Sequence, residues 1–240
     1  MKMKLKKYFK RNKLNKFTFN IAQITEIERG FERKLDISWY AKPEFNEYQM
    51  SQIRLGLEEN LDVSWYAKRE FNYYQMREIC FGLCQGLNVS WFADPKLDWE
   101  QMKQIRLGLE SKLDISWYAD PEFYLEQMEE IRWGLQEGLD VSWYAKPEFN
   151  YYQMSQIRQG LERKLDISQY LDTKYNWEQM EQIRLGLESK LDISWYAKPE
   201  FDYQQMWVIR EGLESKLDVS QYAKPEFDLD EMRRIKDYLL

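Results

Sequence analysis

The chain contains no histidine and only two cysteines among its 240 residues. Without histidine, a serine has no imidazole base to activate it, and a zinc site has no imidazole ligand to draw on. Two thiols, Cys80 and Cys84, are too few for a disulfide framework. Standing one helical turn apart, they cannot complete a four-ligand zinc site. They read as a substituted surface pair, reduced in a cytosol. No apolar run approaches the ~18 residues of a membrane-spanning helix. The N-terminus is basic, but no apolar stretch or small-residue cleavage site follows it, so a secretory signal is not expected and a cytoplasmic protein is. No glycine-rich phosphate loop is present.

Proline and glycine are scarce and strictly placed, and their placement exposes the organisation. A pattern beginning Leu-Asp-Ile-Ser-Trp-Tyr-Ala-Asp-Pro-Glu-Phe at Leu113 recurs from Leu35, Leu61, Leu87, Leu139, Leu165, Leu191 and Leu217. The spacing is 26 residues throughout. A fixed period of this size signals units that bury their apolar faces against one another. The expected fold is all-α, an α-solenoid of eight 26-residue repeats, each a short helix, a turn and a longer helix. Residues 1–16 form a basic N-terminal arm, residues 17–34 a half-repeat cap, and residues 35–240 the eight-repeat solenoid. At ~8–10 Å per packed helix, eight units predict a rod or arc on the order of 80 Å long.

Within the first unit, Asp36 suits a helix N-cap, and Ile37, Tyr40 and Ala41 share one face. Pro43 is expected to stop the short helix; all six prolines occupy this place, and Arg69 and Thr173 replace it in two units. Asn46 caps a second helix over about residues 47–59. Met50, Ile53 and Leu57 line its core face, while positions 48, 51 and 55 point away. Eight of the ten glycines share one position inside this helix, Gly56 and its equivalents. Glycine costs about 1 kcal/mol there relative to alanine. The expected gain is close approach of the neighbouring repeat's backbone. Gly86 and Gly138 stand just past the helix, where C′ residues do.

The polar repeats suggest chemistry. Gln49 and its equivalents are read as satisfying carbonyls of the next repeat, in preference to forming a ligand ladder. Arg54 and Glu58 are an i, i+4 pair. They read first as a solvated ion-pair stripe worth ~0.3–0.5 kcal/mol per pair, and second as a ladder gripping a carboxylate- or phosphate-bearing partner. This second candidate surface comprises Arg54, Arg106, Arg132, Arg158, Arg184 and Arg210, with Trp99 and Trp177 beside it. Ser38 in each Asp-x-Ser reads as helix N-terminal chemistry.

The first candidate surface is a row of tryptophans on the short helices: Trp39, Trp65, Trp91, Trp117, Trp143 and Trp195, with Gln169 and Gln221 in the two remaining units. One reading is an exposed aromatic strip that binds a partner. The other is packing across the groove between short helices, with only an edge exposed.

Charge divides the chain. Residues 1–16 carry eight basic residues and no acid; the other 224 carry 27 basic against 41 acidic groups, a net of −14. Nucleic-acid binding along the body is disfavoured, whereas Lys2, Lys4, Lys6, Lys7, Lys10, Arg11, Lys13 and Lys16 offer it at the arm. A membrane is not the expected partner. The recurrent Leu-Asp-Val-Ser-x-Tyr-Ala-x-Pro-x-Phe-Asp-x-x-Gln-Met-x-x-Ile-Arg-x-Gly-Leu-Glu consensus resembles a helical repeat of uncharacterised bacterial proteins, many linked to mobile elements. That resemblance carries no activity to transfer. The functional expectation is a non-enzymatic, cofactor-free, protein-binding scaffold, with a nucleic-acid-associated or DNA-mimicking protein as the alternative.

Overall fold

A computed structural model describes residues 2–12 and 14–240, and of residues 2–5 the backbone alone. Lys13 and the side chains of Lys2 and Lys4 lie outside the described residues. Every regular element among these residues is helical: ten α-helices and nine three-residue 3-10 turns. The chain divides into two compact units, Met1–Ile115 with Ala119–Pro121, and Ser116–Tyr118 with Glu122–Leu240. The first holds α1 (Lys2–Arg11), α2 (Ile21–Glu32), α3 (Glu47–Glu58), α4 (Tyr73–Cys84) and α5 (Trp99–Glu110). The second holds α6 (Leu125–Gln136), α7 (Tyr151–Glu162), α8 (Trp177–Glu188), α9 (Tyr203–Glu214) and α10 (Leu229–Leu239). Within each unit the long helices from α2 to α5, and from α6 to α10, pack each on the next, and a 3-10 turn follows each helix that has a successor. This is an all-α solenoid arrangement.

Local chemistry fixes both ends of each long helix. Asn46 accepts from the Gln49 backbone N–H at 2.9 Å, and the Gln49 side chain accepts from the Asn46 N–H at 2.9 Å. The same capping box opens α4, α5, α7, α8 and α9. At the other end a left-handed residue turns the chain. Gly86 and Gly138 take it, but so do Lys34, Asn60, Lys112, Lys164, Lys190 and Lys216. Asn60 N–H returns to the Leu57 carbonyl at 3.2 Å and Leu61 N–H to Gly56 at 2.9 Å, the paired bonds of a Schellman ending.

The short element is a 3-10 turn, Ile37–Trp39, that ends at Tyr40 before Pro43 is reached. Pro43 therefore stops nothing. It stands second in the turn closed by Phe45 N–H on the Lys42 carbonyl, where its fixed φ is favoured. Ile37, Tyr40 and Ala41 are buried together, and Met50 and Ile53 are fully enclosed. Leu57 is only half-buried, because the seam between long helices runs through positions 52 and 54 instead.

The helix glycines receive a side chain, not a backbone. A Cβ on Gly56 would sit 1.9 Å from the Tyr66 hydroxyl, and one on Gly134 1.9 Å from that of Tyr144. The Tyr144 hydroxyl lies over the long helix and donates to the Glu130 carbonyl at 3.2 Å. Tyr238, at the equivalent place in α10, is 89% exposed.

Two outcomes follow. Gly134→Ala should lose about 1–3 kcal/mol through overpacking, offset in part by the ~1 kcal/mol gained in helix propensity. Adding Tyr144→Phe removes the obstructing oxygen, so the two changes should couple by about 1 kcal/mol in thermal or denaturant unfolding. Simple additivity would refute the contact. Burial raises the phenol pKa of Tyr40, Tyr66, Tyr144, Tyr170 and Tyr196 above its ordinary value, and that of Tyr222 to about 12. The fold thus holds the neutral phenol. Its contribution is complete below the unfolded pKa of about 10 and is lost as pH rises through the folded values. Helical circular dichroism should collapse in that window together with ionisation of a class of tyrosines; full ionisation with the helix signal intact would contradict it.

Candidate functional site

The tryptophan row is built by the 3-10 turns. Asp36 opens the first one: its Oδ1 accepts from Ser38 N–H at 3.1 Å and from Ser38 Oγ at 2.6 Å. Ser38 is thereby committed to the cap, as its sequence context predicts. The cap residue and the last residue of the turn stand on the same side, as the Gln169–Asp166 and Gln221–Asp218 bonds show, while Ile37 turns inward. The six tryptophans are between 36% and 45% exposed. Neither sequence reading holds alone: more than half of each ring is covered, and a substantial part faces solvent.

Two repeats show what this juxtaposition does when tryptophan is absent. The Gln169 side-chain amide donates to Asp166 Oδ2 at 3.2 Å, and Gln221 to Asp218 Oδ2 at 3.4 Å. Hydrogen bonds from Ser168 and then Gln169 lower the Asp166 pKa, as Ser220 and Gln221 lower that of Asp218. In the tryptophan repeats, Asp36, Asp62, Asp140 and Asp192 accept on Oδ1 alone. Among the described residues their Oδ2 atoms have no hydrogen-bond or ion-pair partner, and nothing accepts from the six indole N–H groups. The rungs of Trp39, Trp65, Trp143 and Trp195 each offer a ring face, a free donor and a free carboxylate oxygen.

The second candidate stripe fares differently. Arg54 is 7% exposed and Arg184 5%. Arg54 Nε donates to Glu26 of the preceding repeat at 2.8 Å, and its Nη1 pairs with Glu58. Arg106 pairs with Glu78 and Glu110, and Arg158 with Glu130 and Glu162. Arg184 and Arg210 donate to Gln156 and Gln182 at 2.9 and 3.0 Å and pair with Glu188 and Glu214. These guanidinium groups form inter-repeat seams. They are neither a solvated stripe nor a ladder free to grip a partner's carboxylates. Arg132 is half-buried on α6. The sequence reading missed their acceptors, Glu26, Glu78, Glu130, Gln156 and Gln182, all buried. The recurrence of Gln or Glu two places after Met in six consecutive repeats, Gln52 to Gln182, was the available signal.

Trp99 and Trp177 are half-buried beside aromatic neighbours that sequence reasoning assigned to freely varying positions. Tyr48 meets Tyr73 edge-on at 5.8 Å, Tyr74 lies 5.7 Å from Trp99, and Tyr152 stacks on Trp177 at 5.2 Å. The Arg77 guanidinium lies 5.5 Å from Tyr74 and 5.8 Å from Trp99. Tyr48, Tyr74 and Tyr152 remain 61%, 49% and 46% exposed, while their contacts hold Trp99 and Trp177 half-buried. The Gln49 expectation holds: its Nε2 donates to the Phe71 carbonyl at 2.7 Å, and Gln153 and Gln179 repeat the bond to Tyr175 and Phe201. Cys80 and Cys84 are not a surface pair. Cys84 is exposed, but Cys80 is buried, and burial pushes its thiol up to about 11.

The basic N-terminal segment is helical. Phe9 packs edge-on against Phe19 at 5.6 Å and Tyr8 against Phe31 at 6.4 Å, while Lys6, Lys7, Lys10, Arg11 and Lys16 stay exposed. A cavity of about 520 Å³ lies among Lys6, Phe9, Lys10, Leu14, Lys16, Ile24 and Glu28. No helix among the described residues is long and apolar enough to cross a membrane.

Trp143→Gln should cost about 2 kcal/mol. A tryptophan three-fifths covered buries roughly 150 Å², about twice what glutamine would, and ~75 Å² at ~25 cal/mol/Å² gives that figure. A bond from the new amide to Asp140 would return part of it. A loss above about 4 kcal/mol in denaturant unfolding would make the ring a core residue. No protein-family model, curated protein or solved structure matches this chain.

Proposed function

We propose that the protein is a non-enzymatic binding scaffold for a protein partner, and that its contact surface is the row of 3-10 turns. In the first unit this surface is Trp39, Trp65 and Trp91; in the second it is Trp117, Trp143 and Trp195. One observation carries the reading: large rings recur, partly exposed and with unused donors, at a position where Gln169 and Gln221 satisfy the same turn without a ring. Folding therefore accepts glutamine there. Interface hot spots are enriched in tryptophan. The seam arginines are withdrawn from this role because their donors are engaged within the chain.

A second reading is supported by α1. Its exposed Lys6, Lys7, Lys10 and Arg11 give one end of the first unit a positive surface, against the acidic remainder of the chain. That surface suits a nucleic acid or another anionic polymer.

Retention of partners from a native extract separates the two. Trp39→Gln with Trp65→Gln should remove about 2 kcal/mol per ring, so affinity for the retained partner should fall roughly a thousandfold. Lys6→Glu with Lys10→Glu should leave it unchanged while abolishing retention on heparin. Partner binding lost with the lysine changes but kept with the tryptophan changes would move the function to α1.

A further inference from the structure

We infer that the tryptophan row of the first unit binds a basic, proline-rich segment in the polyproline II conformation. The inference rests on the row being the contact surface and adds the chemistry of its occupant. Spacing is the first argument. The turns carrying Trp39, Trp65 and Trp91 belong to repeats whose helices pack directly on one another, and packed helices lie ~8–10 Å apart. A polyproline II segment has three residues per turn and rises ~3.1 Å per residue, so one of its faces returns every ~9 Å. Every third residue meets a fresh indole. An α-helix returns a face every ~5.4 Å, and a strand every ~6.7 Å; neither keeps step with the rings.

Hydrogen bonding is the second argument. Polyproline II makes no internal hydrogen bonds, so its carbonyls remain open to donors. The indole N–H groups of Trp39, Trp65 and Trp91 have no acceptor among the described residues. A proline on the ring face and a carbonyl on the indole nitrogen would use both features of one rung.

Charge is the third. Asp36 and Asp62 stand three residues before their tryptophans, on the same side of the turn, each with Oδ2 unpaired. An arginine or lysine between successive prolines would place its cation there, and the net charge of −14 over residues 17–240 favours such a ligand. The glutamine turns of the second unit act as an internal contrast. Gln169 removes the ring and also occupies the Asp166 Oδ2, so that rung has neither feature to offer.

The test is fluorescence anisotropy of labelled peptides with the full chain. The probe is four Pro-Arg-Pro triplets; the comparators are four Gly-Arg-Ser triplets, with equal charge and no preformed helix, and four Pro-Glu-Pro triplets, with the helix and opposite charge. The first should bind at least roughly tenfold more tightly than either comparator. Trp39→Gln with Trp65→Gln should weaken it by roughly a hundredfold or more. Asp36→Asn with Asp62→Asn should weaken it several-fold while keeping the caps, since Asn88 already caps its turn in the third repeat. Equal binding of the Gly-Arg-Ser peptide would reduce the effect to charge attraction and overturn the inference. No binding of the Pro-Arg-Pro peptide would also overturn it, yet a protein partner lost with the tryptophan changes would leave the scaffold reading standing. Binding that survives both tryptophan changes would place the peptide elsewhere and end the proposal.

Discussion

At four seams the packing of one repeat on the next depends on where one residue, two places after Met128, Met154 or Met180 or after Ile24, sends its two acceptors. Its backbone carbonyl takes the hydroxyl of the tyrosine in the following 3-10 turn, and its side chain takes the arginine of the following long helix. Glu26, Glu130, Gln156 and Gln182 each do both. The tyrosine can reach the carbonyl only because the long helix carries glycine beneath its ring. Ring, glycine, acceptor and arginine therefore meet at one place, although Cys80 replaces the arginine beside Tyr66 and Phe92 replaces the tyrosine over Gly82. The apolar core of Met and Ile supplies the area, but this polar contact fixes the register at which one repeat meets the next.

That interdependence explains what could be read from the sequence and what could not. The period, the helix–turn–helix order, the Asn46 and Asp36 caps and the role of Gln49 were legible, because each depends on residues within one repeat or on an obligatory need for hydrogen bonds. The partner of Gly56 was misjudged as backbone. A close approach announces that something small is required, not what fills the space. The arginines were placed on the surface because a helical wheel shows which residues share a face, but not that two polar faces close upon each other. The burial of position 52 is hidden from a single helical wheel for the same reason. Pro43 was credited with ending a helix that Tyr40 had already left.

The tryptophan row was legible as a position but not as a site. Its period and its two glutamine exceptions were plain, yet exposure and groove packing stood level. The geometry replaces that choice with a more specific description, a ring partly covered beside a carboxylate half used. The cap geometry produces this pairing: the Asp36 carboxylate turns back over the 3-10 turn to meet Ser38 and leaves its second oxygen on the side of Trp39. The cap that opens the short element is thus part of the surface it presents.

The hydrogen bonds across each seam also run in opposing senses. Gln49 donates forward to the Phe71 carbonyl, while Arg54 donates backward to Glu26. The repeats of α7 and α8 each hold a successor with an amide and a predecessor with a guanidinium. The stack therefore has a chemical direction that its shape alone does not reveal. A repeat moved behind any neighbour that carries Gln or Glu at the position of Gln52 meets the acceptors it left behind. A repeat turned end for end would set donor against donor at both seams, so parts of this kind are interchangeable in order but not in orientation.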